Sequence, residues 1–189
     1  MSRSSMLLTA LALVAAVAPL GAAADPAVGQ VLALTASLLR STRAGASESM
    51  AERYRDLQPV VAQAFALPLV ARWSVGPEWG KFTPGQQEAV VAAFSRFTVA
   101  NYAHNFRSFD GEKFVVDGNV LHRGPEEVVR QHVIPMDESP ADLLYLMEDV
   151  NGGWKIVDVY YNGISQLALH RADFAGAIGA GGRPSSSRI

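Results

Sequence analysis

The sequence predicts an α+β domain: N-terminal helices packed on a twisted four-stranded antiparallel sheet, a closing C-terminal helix and an apolar cavity between the layers. Three observations predict it. Apolar residues recur at helical spacing up to about residue 108 and at alternating spacing from Gly111 onward, so helices precede strands instead of alternating with them. An Asn151-Gly152 pair between two alternating runs marks a two-residue hairpin and makes those strands antiparallel. Residues 65 to 109 hold nine of the sixteen aromatic side chains and only six charged ones, more rings than one apolar stripe can place. Such a segment is either the middle of a very aromatic core or the wall of a cavity.

The chain begins with an expected export signal, residues 1–24. Arg3 lies in a short polar start, Met6 to Leu20 is apolar except for Thr9 and Pro19, and Gly21-Ala22-Ala23-Ala24 offers the small residues a signal peptidase reads. The apolar run, about 15 residues, is shorter than the roughly 20 that cross a bilayer. Cleavage near Ala24 leaves one domain, 25–178, and a Gly- and Ser-rich tail, 179–189, whose composition predicts disorder.

Within the domain, Val28, Val31, Leu32, Leu34, Thr35, Leu38 and Leu39 set out a first helix that stops at Thr42 to Gly45. Ser47 is the expected cap of a second helix through Met50, Tyr54, Leu57, Val61 and Phe65, which Pro59 should split or kink. A short apolar helix covers Phe65 to Trp73 and ends near Gly76-Pro77. Thr83 then caps a long helix, with Pro84 at its first position and Gln86 completing a capping box, running to about Ser108. Strands are expected at Glu112–Asp117, Glu127–Ile134, Asp142–Val150 and Trp154–Tyr161. Asn162-Gly163 should break the last of these, and Ser165 to Ile178 forms the closing helix.

Composition narrows the function. Removing residues 1–24 takes away only Arg3, which leaves 15 basic against 18 acidic residues, a formal charge of −3. Neither sign dominates and no basic run is interleaved with aromatics, so nucleic acid is not an expected partner. The absence of cysteine rules out disulfides, a thiol nucleophile, a Cys-based zinc site and a lipidated cysteine. His104, His122, His132 and His170 have no paired ligand spacing, and no nucleophile elbow or phosphate loop occurs. No cofactor is implied. Asp158, between Val157 and Val159, is the acidic residue with two readings: a general acid or base beside a tyrosine, or a structural hydrogen-bond acceptor for a nearby turn.

Read together, several motifs resemble the MlaC family, periplasmic lipid-shuttle proteins also called toluene-tolerance auxiliary components of an ABC transporter. They are Phe65-Ala-Leu-Pro-Leu-Val-Ala-Arg72, Gly76 with Trp79, Thr83-Pro84 with Gln86 and Gln87, Phe94 followed by Tyr102, Asp110-Gly111, Gly153 through Val159, and Asn162-Gly163-Ile164-Ser165. Phe97 to Ala103 and Ser165 to Phe174 are closest to the hopanoid-associated branch, HpnM. Two features depart from the family: Ala66 stands where an acidic residue is common, and the chain ends where relatives continue into another helix.

The resemblance implies a non-enzymatic carrier of phospholipid or hopanoid-type lipid. It also implies as partners an inner-membrane ABC transporter complex with its MCE-type lipid-binding subunit and an outer-membrane lipoprotein complex. The lining expected on that basis comes from Leu69, Val70, Trp73, Phe94, Phe97, Tyr102 and Phe106 on the helices. Val133, Leu144, Leu146, Ile156, Val159 and Tyr161 are the sheet candidates, one face of which must point away. Two other readings stay open: a small-molecule enzyme working through Asp158 on a similar scaffold, and a non-carrying envelope adaptor with an exposed aromatic patch.

Overall fold

The change of hydrophobic period marks the point where the chain changes layer. The computed structural model describes residues 25–108, 111–136 and 139–179, with four helices ahead of an antiparallel sheet and one after it. The expected export signal and all of the expected tail beyond Gly179 lie outside the described residues.

Helix α1 spans Pro26–Ala44, capped by the Asp25 carboxylate, which accepts the Ala27 N–H at 2.8 Å. Its buried stripe is Val28, Val31, Leu34, Thr35 and Leu38. Helix α2, Met50–Ala64, starts at Ser49 and not at the expected Ser47. Ser49 has Glu52 three residues on, so the two close a capping box, with the Ser49 N–H donating to Glu52 at 2.9 Å and the Glu52 N–H to Ser49 at 3.2 Å. The kink or split expected at Pro59 does not divide α2, which continues through it. The N–H that proline lacks would have served the carbonyl of Arg55, a residue on the exposed side of the helix, where solvent is the alternative partner.

Helix α3 is Leu67–Val75 and helix α4 is Pro84–Asn105, the latter opened by the expected Thr83–Gln86 capping box and ending three residues before Ser108. At the α2–α3 junction, the Ala66 N–H donates to the Ile156 carbonyl at 3.0 Å, which fastens the helical layer to the sheet.

The strands run β1 Lys113–Arg123, β2 Glu126–Ile134, β3 Ala141–Asp149, β4 Trp154–Tyr161 and β5 Ile164–Ser165, and they pair in sequence order as an antiparallel meander. Strand β1 is longer than expected. A bulge between Val116 and Val120 absorbs Asp117, Gly118 and Asn119, and pairing resumes at Val120↔Val129. The expected two-residue turn at Asn151-Gly152 is present, with φ of 57° and 82° and backbone bonds in both directions between Val150 and Gly153. Asn162-Gly163 repeats this conformation, with φ of 47° and 82°. It therefore does not simply end the sheet but turns the chain into β5, a fifth strand against the four expected, before α5, Gln166–Gly179.

The two ends of the sheet are filled differently. At one end Val129, Met147 and Ile156 pack against Val31, Leu34, Leu57 and Val61, all essentially inaccessible to solvent. A buried polar thread crosses this core: Tyr145 donates to Gln131 at 2.9 Å, Gln131 to Thr35 at 2.7 Å, and Thr35 to the Val31 carbonyl at 2.8 Å. At the other end, where β2 finishes, β3 begins and β4 finishes, the layers stand apart.

Candidate functional site

The space between the layers is a cavity of about 810 Å³. Helix α4 supplies one wall through Phe94, Thr98, Asn101, Tyr102, Asn105 and Phe106, a stripe at helical spacing. Phe65, Leu67 and Val70 come from the α2–α3 junction and α3. The sheet contributes Phe114, Val133, Ala141, Leu143, Tyr145, Val159 and Tyr161, and α5 closes one side with Gln166, Leu167 and His170.

Four rings run in a row from the helical wall to the sheet. Phe65 meets Tyr102 edge-on at 5.6 Å, Tyr102 stacks on Phe106 at 5.8 Å, and Phe106 lies 6.2 Å from Phe114. Rings at these separations attract one another in preferred relative orientations. Burial pushes the Tyr102 phenol well above its ordinary range, and Tyr145 nearby adds to the shift, so the ring stays neutral.

Seven of the thirteen expected lining residues stand on this cavity: Val70, Phe94, Tyr102, Phe106, Val133, Val159 and Tyr161. The other six do not line it, for reasons of periodicity. On α3 the cavity stripe is Leu67 and Val70, so Leu69 and Trp73, four residues apart, share a different face and are only half-buried. Phe97 points outward, 49 % exposed, with its ring against His170 at 5.6 Å.

In the sheet, Val133 pairs with Ala141, which puts Leu143 and Tyr145 on the cavity face and Leu144 and Leu146 on the opposite one. Ile156 is on the buried face but belongs to the filled end, opposite Met147. The bulge between Leu146 and Met147 resets the phase of β4, where Ile156, Val157 and Asp158 are buried in succession.

Sequence reasoning missed Phe65, Leu67, Phe114, Ala141, Leu143, Tyr145, Leu167 and His170 as wall residues. The signal for the β3 set was available, since an inward Val133 requires an inward Ala141, Leu143 and Tyr145 once the hairpin register is known.

Asp158 takes the structural of its two roles. Its Oδ1 accepts the N–H groups of Val159 at 2.7 Å and Leu167 at 3.0 Å, and its Oδ2 accepts the Ser165 hydroxyl at 2.6 Å. Ser165 in turn accepts the Ala168 N–H at 3.0 Å, so the carboxylate pins the first turn of α5 to β4. A base with its oxygens committed to three donors has little capacity to take a substrate proton.

His170 is the histidine on the cavity wall, edge-on to Phe94 at 5.5 Å. Burial pushes it below the usual histidine value, with Asp173 and Asp158 opposing the shift. The remaining histidines are scattered, and among the described residues no cluster of His, Cys, Asp and Glu side chains is placed to hold a metal ion. Among the described residues, too, no helix is long and apolar enough to cross a membrane.

Ala66, the departure from the family pattern, is the N-cap of α3 and makes no side-chain cap bond. A carboxylate at this position would sit at the positive end of the helix dipole.

Comparison with known proteins agrees with this architecture. The chain is similar in fold to a phospholipid-binding protein from Ralstonia solanacearum whose structure was solved in complex with a phospholipid. The two superpose with a TM-score of 0.73 at 18 % sequence identity, over 84 % of this chain and 90 % of that one. No curated protein matches the sequence. The family described as MlaC protein matches residues 30–185, and with most of its length inside that match the chain belongs to the MlaC family.

Proposed function

We propose that the protein is a soluble periplasmic lipid carrier that takes the hydrocarbon of a phospholipid or hopanoid-type lipid into the cavity between α4 and the sheet. The observation that carries this reading is the cavity itself, with its row of aromatic rings. A methylene has about the volume of a water molecule in the liquid, roughly 30 Å³. The 810 Å³ therefore hold on the order of 27 such groups, close to the hydrocarbon of one membrane lipid.

The physical need is large. A diacyl lipid exposes roughly thirty methylenes, each costing about 0.8 kcal/mol in water, so free passage through an aqueous compartment is opposed by some tens of kcal/mol. The apolar part of the wall exchanges burial for burial and so offsets much of that cost, with no chemical step. Membership of the MlaC family supports this reading, as does the phospholipid held by the Ralstonia protein of like fold.

In this reading residues 1–24 are an export signal cleaved near Ala24, and 25–178 are the lipid-binding unit. The energy source is a partner, an inner-membrane ABC transporter with an MCE-type subunit, and the opposite station is an outer-membrane lipoprotein complex. The test is to purify the protein without detergent, extract it with organic solvent and identify the extract by mass spectrometry. About one lipid per chain is the expected result; protein that folds but yields no lipid overturns the proposal.

A further inference from the structure

At the filled end of the sheet, where β2 begins, one carboxylate is buried short of a partner. Glu127 is only 8 % exposed, and its Oε2 is buried without a hydrogen bond. Its Oε1 lies 3.5 Å from Nδ1 of His122, its partner across the β1–β2 hairpin, but that ring is largely in solvent. A buried carboxylate oxygen with no donor is uncommon, because burial strips it of strong hydrogen bonds to water. The neighbour that the fold supplies has the wrong sign. The Asp25 side chain stands within hydrogen-bonding reach of Glu127. Burial and then the Asp25 charge push the Glu127 carboxyl above the usual carboxylate range, with His122 opposing. Two carboxylates so close call for a proton or a cation between them.

Asp25 is also where the chain enters the domain. Its carboxylate accepts the Ala27 N–H at 2.8 Å and so caps α1, and Pro26 occupies the first helical position. Nothing ahead of Asp25 is needed to start that helix. Ala22 and Ala24, small residues of the kind a signal peptidase reads, stand just before it. A cut after Ala24 makes Asp25 the first residue and creates an α-ammonium there, one side chain away from the unpartnered oxygen. The N-terminal end of α1, worth about half a positive charge, repels a cation, but the two carboxylates outweigh it.

Resting on the export reading of residues 1–24, we propose that the signal is cut after Ala24 and that the released Asp25 α-ammonium pairs with the buried Glu127 carboxylate. The cut is a hydrolysis: the oxygen of one water goes to the Ala24 carboxylate and its two protons to the Asp25 nitrogen. The precursor has an uncharged peptide nitrogen at this place, so the pair exists only in the processed chain. Processing then completes the joint between α1 and β2, and the chain gains its full stability after export.

The test uses the full-length precursor, expressed for export, with and without a glycine–serine pair inserted after Ala24 to move the new terminus away from Glu127. Each is made with Glu127 and as Glu127→Gln. The exported wild type is expected to begin at Asp25 by mass. Its α-amine, followed by NMR titration, is expected to hold its proton at least about tenfold more tightly than an ordinary one, which titrates at about 7.7–8.0. Glu127→Gln should lower the urea midpoint of the directly processed chain by about 0.5 M. In the inserted chain it should leave the midpoint unchanged or higher, because there it removes an unpaired buried charge. No processing, or a terminus at another residue, overturns the cut after Ala24 and the pair with it. A terminus at Asp25 with an ordinary amine, or with the same Glu127→Gln effect in both chains, overturns the pair and leaves the export reading standing. Should Glu127→Gln not fold, the titration of the wild-type amine decides alone.

Discussion

The Tyr145 hydroxyl donates to the Gln131 side-chain carbonyl at 2.9 Å, deep between sheet and helices, and Gln131 passes the connection to Thr35 of α1. Gln131 is 1 % exposed and Tyr145 2 %, so neither has water as an alternative partner. The pair fixes how α1 sits on β2 and β3 next to the point where the layers part. Burial also pushes the Tyr145 phenol far upward, which keeps it a donor across the accessible pH range.

Replacing Gln131 with Leu strands the Tyr145 phenol in the core, while the Thr35 hydroxyl keeps its bond to the Val31 carbonyl, and should cost about 1–3 kcal/mol in chemical denaturation. Tyr145→Phe alone should cost about 1 kcal/mol. The double variant should be less destabilised than the sum of the two, because the stranded donor is gone. Strict additivity would show that the thread is not a coupled unit.

Leu143→Trp puts a larger ring into the cavity from the sheet side, where it has space to occupy. Lipid recovered after detergent-free purification should fall severalfold while the melting temperature holds or rises, since the added ring gains contacts instead of overpacking a filled core. Undiminished lipid would place the binding site elsewhere.

Asp158→Asn distinguishes an anchor from a catalyst. The amide can still accept hydrogen bonds through one oxygen but loses the charge-assisted contact with Ser165 or with the Leu167 N–H, at a cost of about 1–3 kcal/mol. Lipid content should survive at a temperature where the variant is folded, with loosening concentrated in α5 by hydrogen exchange. Loss of a turnover reaction with stability intact would contradict the anchoring role.

His170 predicts a pH dependence of definite sign. Its folded-state value lies below the ordinary one, so the unfolded chain holds a proton that the folded chain releases. The resulting stability is complete above the unfolded value of about 6.5 and is lost as pH falls through the folded value. Unfolding midpoints should therefore decline from about pH 7 to about pH 5, and His170→Phe, which keeps a ring against Phe94, should flatten that decline. An unchanged slope would assign the effect to other groups.

Much of the fold was legible in the sequence because local chemistry marks it. Thr83, Pro84 and Gln86 announce α4, and Asn151-Gly152 announces the β3–β4 turn through residues that tolerate positive φ. The second half of β1 was hidden, since Gly118-Asn119 looks like a strand terminator and only the β2 ladder on both sides shows it to be a bulge. The fifth strand was hidden by the reverse error, a turn signal at Asn162-Gly163 taken as a stop. The cavity wall was half legible for a related reason. Aromatic content locates the segment, but which rings face inward depends on helix phase and strand register. A choice of Val133 together with Leu144 combined the two faces of one sheet.

The separation of filled and open ends has a thermodynamic consequence. At the open end the cargo supplies the atoms that a larger side chain would supply in an ordinary core, so the empty chain lacks part of its own interior. Delivery and loss of rigidity become the same event: the unloaded form should melt lower and exchange its amides faster around Val133, Leu143 and Val159, while those at Val129 and Met147 stay protected. A receptor that grips only the slackened mouth could tell spent molecules from charged ones without touching the lipid.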